Sequence, residues 1–302
     1  MTGTDAAAAR RLRIALALLW LTPLLWSSNY LIARLAPGVI APHVLALGRW
    51  SLAFALMLPF AWRGLTRDGL PWREEGLHWL VLGGLGMWIC GAFVYLGGQS
   101  TTAINIGLIY ALTPILIAVA GTRMLHERMS WSQRAGVALA LTGALYVIAK
   151  GDAANLLAVR FNRGDAWILV AAFSWAAYSV LLRHWPSRLG TAERLVAISG
   201  GGLVVLLPFT LLEYAIEPRY PFSLLALGLV VLAAVVPGVL SYQAYSYMQR
   251  ELGASKAALT LYLGPLYAAF TGWAVLNEPP KAYHAVGAML ILPSIWLATR
   301  GR

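Results

Sequence analysis

Arg49 is the one basic residue well inside an apolar stretch of this sequence, about six residues from its start, or roughly 9 Å along a helix. A guanidinium there either holds the carboxylate of a bound solute, or snorkels or hydrogen-bonds to a neighbouring helix. The aromatic residues offer a second kind of chemistry, 13 Trp, 13 Tyr and 8 Phe in all. Trp62, Trp72, Trp79, Trp131, Trp185, Tyr220 and Trp296 lie where apolar stretches end, as membrane-interface residues do. Trp26, Trp88, Tyr110, Trp175, Tyr178, Tyr262 and Tyr267 fall nearer mid-stretch, with Tyr95, Gln99, Tyr242, Gln243 and Tyr245 toward stretch ends. A buried Trp N–H or Tyr O–H needs a partner, which a wet solute cavity or a packed helix interface can each supply.

Ser27, Ser28 and Asn29 follow Trp26 directly, and Asn105 and Thr113 lie farther on. Such uncharged groups bind a carboxylate or an amine, or link helices to one another. The candidate substrate-binding set is therefore Trp26, Ser27, Asn29, Arg49, Trp88, Tyr95, Gln99, Tyr110, Trp175, Tyr178, Tyr242 and Tyr262. No Walker-type loop, His-Glu-x-x-His pair, Asp-rich diphosphate site or metal-ligand cluster accompanies it, so no enzyme, cofactor or metal is expected.

The elements that must position these residues follow from composition. Of 302 residues, 60% are apolar and 12% charged, and the mean hydropathy is +0.69. Soluble domains run nearer 45–50% and about 25%, so too few charges exist to cover a water-facing surface. A soluble enzyme, a disordered chain and a disulfide scaffold (Cys90 is the sole cysteine) are excluded. Apolar stretches at 14–33, 43–62, 77–97, 102–122, 131–149, 166–184, 194–213, 222–247, 255–276 and 282–299 predict ten spans. They must be helices, because lipid satisfies no backbone polar group and the segments are too long for barrel strands. The first is expected to be retained rather than cleaved, because no small-x-small site clearly follows it.

Charge placement sets the expected orientation. With the N-terminus cytoplasmic, sixteen Lys and Arg fall on that side and six on the other, apart from Arg49. Both termini are therefore expected inside a bacterial inner membrane. The net charge of +11 belongs to these short connections and does not form a nucleic-acid stripe.

The halves 1–150 and 151–302 repeat one another. Trp26, Arg34, Pro59 and Phe60 recur as Trp175, Arg183, Pro208 and Phe209 at an offset of 149. Tyr95 and Gln99 recur at 150, while Ala103, Leu108, Pro114, Gly121, Glu127 and Gly136 recur at 151 as Ala254, Leu259, Pro265, Gly272, Glu278 and Gly287. With five spans each, the second copy enters from the opposite side, the inverted build of secondary transporters. Pro114 and Pro265 would then bend equivalent spans and act as hinges, or set a static shape.

The Glu127–Gly136 element (Glu-Arg-Met-Ser-Trp-Ser-Gln-Arg-Ala-Gly), preceded by Pro114, together with Arg49 and the doubled five-span pattern, resembles the EamA-type drug/metabolite transporters. The second copy departs from the element at Pro279 and Pro280. The resemblance implies an all-α, ten-helix carrier working by alternating access. The Trp and Tyr richness is most similar to bacterial aromatic amino acid exporters. The implied partners are a small-molecule substrate, most simply an amino acid, and the lipid bilayer, with a monomer as the working assembly. Every carboxylate falls in a loop or at a helix end, which favours facilitated diffusion over proton coupling. A neutral or zwitterionic cargo fits a single buried cation. Another cargo (nucleoside, sugar or drug-like cation) and a non-transporting membrane interaction protein remain the alternatives.

Overall fold

The computed structural model describes residues 3–67, 69–216, 220–221, 223–276 and 279–300. Asp68, Glu217, Arg219, Glu278 and Arg302, which enter the charge and repeat readings, lie outside the described residues. Among the described residues every regular element is helical. In chain order these are α1 (Gly3–Leu35), α2 (Pro42–Arg67), α3 (Trp72–Gly83), α4 (Cys90–Gly98), α5 (Ala103–Ala111), α6 (Thr113–Met124), α7 (Trp131–Ile148) and α8 (Ala154–Leu157). They continue as α9 (Arg163–His184), α10 (Thr191–Ile216), α11 (Leu224–Ala234), α12 (Ser241–Leu252), α13 (Ala254–Ala258), α14 (Gly264–Leu276) and α15 (Ala282–Arg300).

Seven of the helical stretches are long and apolar enough to cross a membrane: Ala6–Ala33, Pro42–Arg67, Trp72–Gly98, Asn105–Met124, Arg163–His184, Thr191–Ile216 and Leu224–Leu252. The other three stretches expected from the sequence are helical too. Of these, α7 begins on the polar Ser132-Gln133-Arg134, α13 and α14 are separated by a 3₁₀ turn, Leu259–Leu263, and α15 offers the shorter apolar run Ala282–Ala298.

Local chemistry explains where the helices start. Ser130 and Gln133 form a reciprocal capping box at the head of α7, which accounts for two polar positions of the Glu127–Gly136 element. Asn162 and Asp165 do the same for α9. Thr102 and Ser223 accept the free amides of α5 and α11. Pro114 and Pro265 both sit in the first turn of a restarting helix, where no amide is needed.

Two helices carry a π turn in mid-course. Gly84–Ile89 joins α3 to α4, and Val235–Leu240 joins α11 to α12, 151 residues later. A π turn widens the helix and frees carbonyl oxygens for other donors. Glycine brings the first of these helices close to its neighbours. A Cβ at Gly83 would lie 2.2 Å from the Gly202 nitrogen on α10, and one at Gly86 would lie 2.9 Å from the Tyr178 ring on α9. The main core gathers Trp50, Trp175, Tyr178, Tyr242, Tyr245 and Tyr262 at its centre. Large apolar side chains such as Phe60, Trp62, Leu157 and Leu224 face outward instead, as a lipid-facing surface requires.

Candidate functional site

The centre of the bundle is an aromatic cluster contributed by four helices. Trp26 of α1 meets Trp175 of α9 edge-on and Tyr245 of α12, both at 5.3 Å between ring centroids. Trp175 stacks on Tyr178 at 5.2 Å and touches Tyr242 and Tyr245 at 5.4 and 5.1 Å. Tyr242 closes the cluster against Trp50 of α2 at 4.8 Å. These separations are those of contacting aromatic pairs. Of the wet cavity and the packed interface left open by the sequence, the rings show the second in this conformation, packing against one another between α1, α2, α9 and α12.

Arg49 lies at the edge of that cluster, 4% exposed. Its Nη2 donates to the Pro237 carbonyl at 2.8 Å, in the second π turn. Its Nη1 donates over a long 3.5 Å to the Tyr95 hydroxyl, which itself donates to Asn29 Oδ1 at 2.7 Å. The guanidinium carbon stands 4.9 Å from the Trp50 ring and 5.9 Å from the Tyr242 ring. Among the described residues Arg49 forms no ion pair, and its Nε has no hydrogen-bond partner. The exchange is mutual between the halves: Tyr242 donates to the Gly86 carbonyl of the first π turn at 2.9 Å, and Ser174 to its Leu85 carbonyl at 2.8 Å. Each π turn thus serves a side chain from the other half of the chain.

Other polar side-chain atoms are buried without a partner among the described residues: the indole N–H groups of Trp50 and Trp175, the hydroxyls of Tyr178, Tyr262, Ser199 and Ser255, Thr113 Oγ1 and Gln249 Oε1. Buried polar groups are nearly always satisfied in native proteins, and leaving one unpaired costs about 1–3 kcal/mol. Of these the Trp50 ring lies beside the Arg49 guanidinium, 4.9 Å away.

Of the residues singled out from sequence, the structure gathers Trp26, Asn29, Arg49, Tyr95, Trp175, Tyr178 and Tyr242 into connected contacts. Tyr262 lies in the same core within the 3₁₀ turn. Ser27 is buried but donates to its own helix, at Leu24. Gln99 falls in the exposed turn after α4, and Tyr110 packs on a small Ile109–Ile168 cluster. Trp88 stands apart, stacked on Phe209 at 3.7 Å and donating to His43 Nε2 at 3.3 Å. Asn105 serves structure, donating to Asp165 and to the Arg160 carbonyl. Trp50 and the π-turn carbonyls were missed. Adjacency to Arg49 is the one signal that could have flagged Trp50, and nothing in the residue pattern marks a π turn.

Carboxylates that the sequence places at helix ends prove buried and bound. Glu213 takes the backbone amides of His43 and Val44 and the His43 ring Nδ1, the last at 2.8 Å. Glu75 accepts from Ser187 Oγ, the Arg188 amide and Trp79 Nε1. Asp165 accepts from Thr101, Asn105 and the Asn162 amide. Glu127 caps α13 through the Ala254 and Ser255 amides at 2.8 and 3.0 Å. Each ties one half of the chain to the other, apart from the local Trp79 bond of Glu75 and the local Asn162 bond of Asp165.

Lipid-length helices surround a buried aromatic and guanidinium centre. The chain belongs to the EamA-like transporter family, which matches residues 13–149 and 162–300, and it is a membrane transporter. It is 25% identical over 284 residues to an uncharacterized transporter of Archaeoglobus fulgidus, covering 93% of this chain and 96% of that protein. To the uncharacterized transporter YyaM of Bacillus subtilis it is 27% identical over 277 residues, 90% and 89% of the two chains. To an S-adenosylmethionine/S-adenosylhomocysteine transporter of Chlamydia trachomatis it is 23% identical over 286 residues, 92% and 87%. A protein of known crystal structure shares the fold with a TM-score of 0.75 at 20% identity, over 94% of this chain and 96% of that one.

Proposed function

We propose that the protein carries small zwitterionic solutes that join an α-amino-acid group to an aromatic or bulky apolar body. Aromatic amino acids are the simplest such cargo. S-adenosylhomocysteine, named with S-adenosylmethionine for one group of relatives, is a zwitterionic α-amino acid bearing a flat purine, so the same site chemistry would serve it. The observation that carries this reading is Arg49: a buried guanidinium without a carboxylate partner among the described residues, flanked by Trp50 and Tyr242. A solute carboxylate would complete it, and the aromatic cluster would take the solute's body by stacking.

On this reading ten helices form two inverted five-helix repeats, residues 1–150 and 151–302, with the carrier in an inner membrane and both termini cytoplasmic. The two family-matched stretches and the two π turns at the same relative position support that arrangement. Alternating access around the aromatic centre, pivoting where α6 and α14 restart at Pro114 and Pro265, would open one face and then the other. Transport would be facilitated diffusion, in the export direction when solute is higher inside. The test is uptake into proteoliposomes of labelled Trp, Phe and S-adenosylhomocysteine, with tryptamine as the analogue lacking the carboxylate. Saturable uptake of at least one α-amino acid, with tryptamine carried far more weakly, is the expected result. Transport of tryptamine but none of the amino acids would overturn it.

A further inference from the structure

Gly238, the fourth residue of the second π turn, lies where the Arg49 guanidinium comes to rest. A Cβ on Gly238 would stand 3.7 Å from Arg49 Nε, and 2.9 Å from the Ala233 carbonyl oxygen of its own helical run. Two ordinary reasons for a glycine do not apply. Its φ is not positive, so the backbone needs no left-handed freedom. Nor does the turn itself demand a bare position, because the first π turn carries Met87 at the same fourth place, with its side chain fully buried. The two places differ in their neighbours. Met87 lies against Gly202 of α10, whereas Gly238 lies against the side chain of Arg49.

The contact decides which part of the guanidinium remains open. A planar guanidinium offers a carboxylate two paired edges, Nε with Nη2 and Nη1 with Nη2. Here Nε stands beside Gly238 and Nη2 donates to the Pro237 carbonyl at 2.8 Å, so the first edge is turned onto the second π turn. Nε has no hydrogen-bond partner there. On the second edge Nη1 reaches only the Tyr95 hydroxyl, at 3.5 Å, a length at which such a bond is weak. That hydroxyl already spends its proton on Asn29 Oδ1 at 2.7 Å.

We propose that Gly238 is a positioning residue for the carboxylate site. Its bare backbone, with the Pro237 carbonyl beside it, seats the Nε–Nη2 edge of Arg49, and the Nη1–Nη2 edge is the one a solute carboxylate takes in place of Tyr95. This role rests on the reading of Arg49 as the group that holds the carboxylate. A methyl group at 238 comes into contact with Nε, and a longer side chain competes with the guanidinium for the same space and turns its fork.

The test compares Gly238→Ala, Gly238→Leu and Arg49→Gln, with Gly238→Ala also combined with Arg49→Gln. Initial uptake into proteoliposomes is measured for tryptamine and for whichever of Trp, Phe and S-adenosylhomocysteine the wild type carries best, normalised to folded protein. The ratio of amino acid to tryptamine uptake should fall at least about threefold in Gly238→Ala and about tenfold in Gly238→Leu, through KM for the amino acid rather than kcat. In the Arg49→Gln background Gly238→Ala should change the ratio less than about twofold, because the group it positions is gone. A glycine with a merely structural role would depress both solutes alike, in either background. Where Gly238→Leu does not fold, Gly238→Ala decides. An unchanged ratio in Gly238→Ala, with Arg49→Gln lowering it, overturns the role of Gly238 and leaves Arg49 in place. An unchanged ratio in Arg49→Gln removes the carboxylate reading and the positioning role with it.

Discussion

Replacing Arg49 with Gln separates a solute-binding cation from a structural one. In the structure the guanidinium makes one short hydrogen bond, to the Pro237 carbonyl at 2.8 Å, and one long one, to Tyr95 at 3.5 Å. Gln can keep part of that and cannot keep the charge. A hydrogen bond to a charged group is worth about 1.5–3 kcal/mol, and about 1.36 kcal/mol is a factor of ten. If Arg49 holds the solute carboxylate, Arg49→Gln should lower the kcat/KM-type uptake efficiency for Trp by roughly ten- to 150-fold. Uptake of a weakly carried analogue lacking the carboxylate, such as tryptamine at high concentration, should change less than about threefold. Loss of fold would depress both solutes alike, so their ratio is the decisive quantity. Initial rates in proteoliposomes, corrected for the amount of folded protein, supply it. Equal losses for Trp and tryptamine would show that Arg49 supports only the π turn, and the carboxylate reading would fail.

The other parts of the structure make their own predictions. Trp175 touches Trp26, Tyr178, Tyr242 and Tyr245, so Trp175→Ala should cost about 3–5 kcal/mol of stability and lower the thermal unfolding midpoint, whereas Trp175→Phe should restore most of it. Glu127→Gln removes the charge from the cap on α13, a loss of about 1–2 kcal/mol. A cysteine at Ser255, in a chain with Cys90 replaced, should then react faster with a water-soluble maleimide; unchanged reactivity would show that the cap does not hold this face closed. Gly83→Val drives a side chain into the Gly202 backbone at 2.2 Å, so expression and thermal stability should fall by an overpacking cost of at least about 1–3 kcal/mol. Normal melting of that variant would mean that α3 and α10 are free to separate.

How much of this was legible in the sequence depends on the kind of information each feature needs. Apolar length marked every helical stretch except the short α8, whereas the caps spaced Ser130 to Gln133 and Asn162 to Asp165 went unread although both are local. Position along a helix does not give azimuth, so Trp88 and Gln99 were grouped with Trp26 and Trp175 although they face other surroundings. Trp50 was overlooked for the converse reason: it lies in an ordinary apolar run, and its meeting with Tyr242 joins residues far apart in sequence. The π turns rest on one extra residue per turn, which leaves no mark in side-chain type. Burial of Glu213 was likewise invisible, because its partner His43 lies 170 residues away.

The disposition of the buried charges is what constrains the cargo. Glu75, Glu213 and Asp165 are each nearly buried, and each is surrounded by donors, backbone amides and side chains together. An acid so occupied is balanced by its donors where it stands. Arg49 differs: one carbonyl, one long hydroxyl contact and two ring faces stabilise it without neutralising it. The centre therefore holds one unmatched positive charge among groups that are otherwise neutral. A dianion such as a phosphorylated metabolite would leave one charge uncompensated in a low-dielectric interior, and a cation would meet like charge; both are costly. A zwitterion places its carboxylate on Arg49 and its ammonium against aromatic faces and the Asn29 carbonyl oxygen, leaving no charge unpaired. This disposition of charge supports the zwitterionic cargo proposed above, and the ratio of Trp to tryptamine uptake tests it.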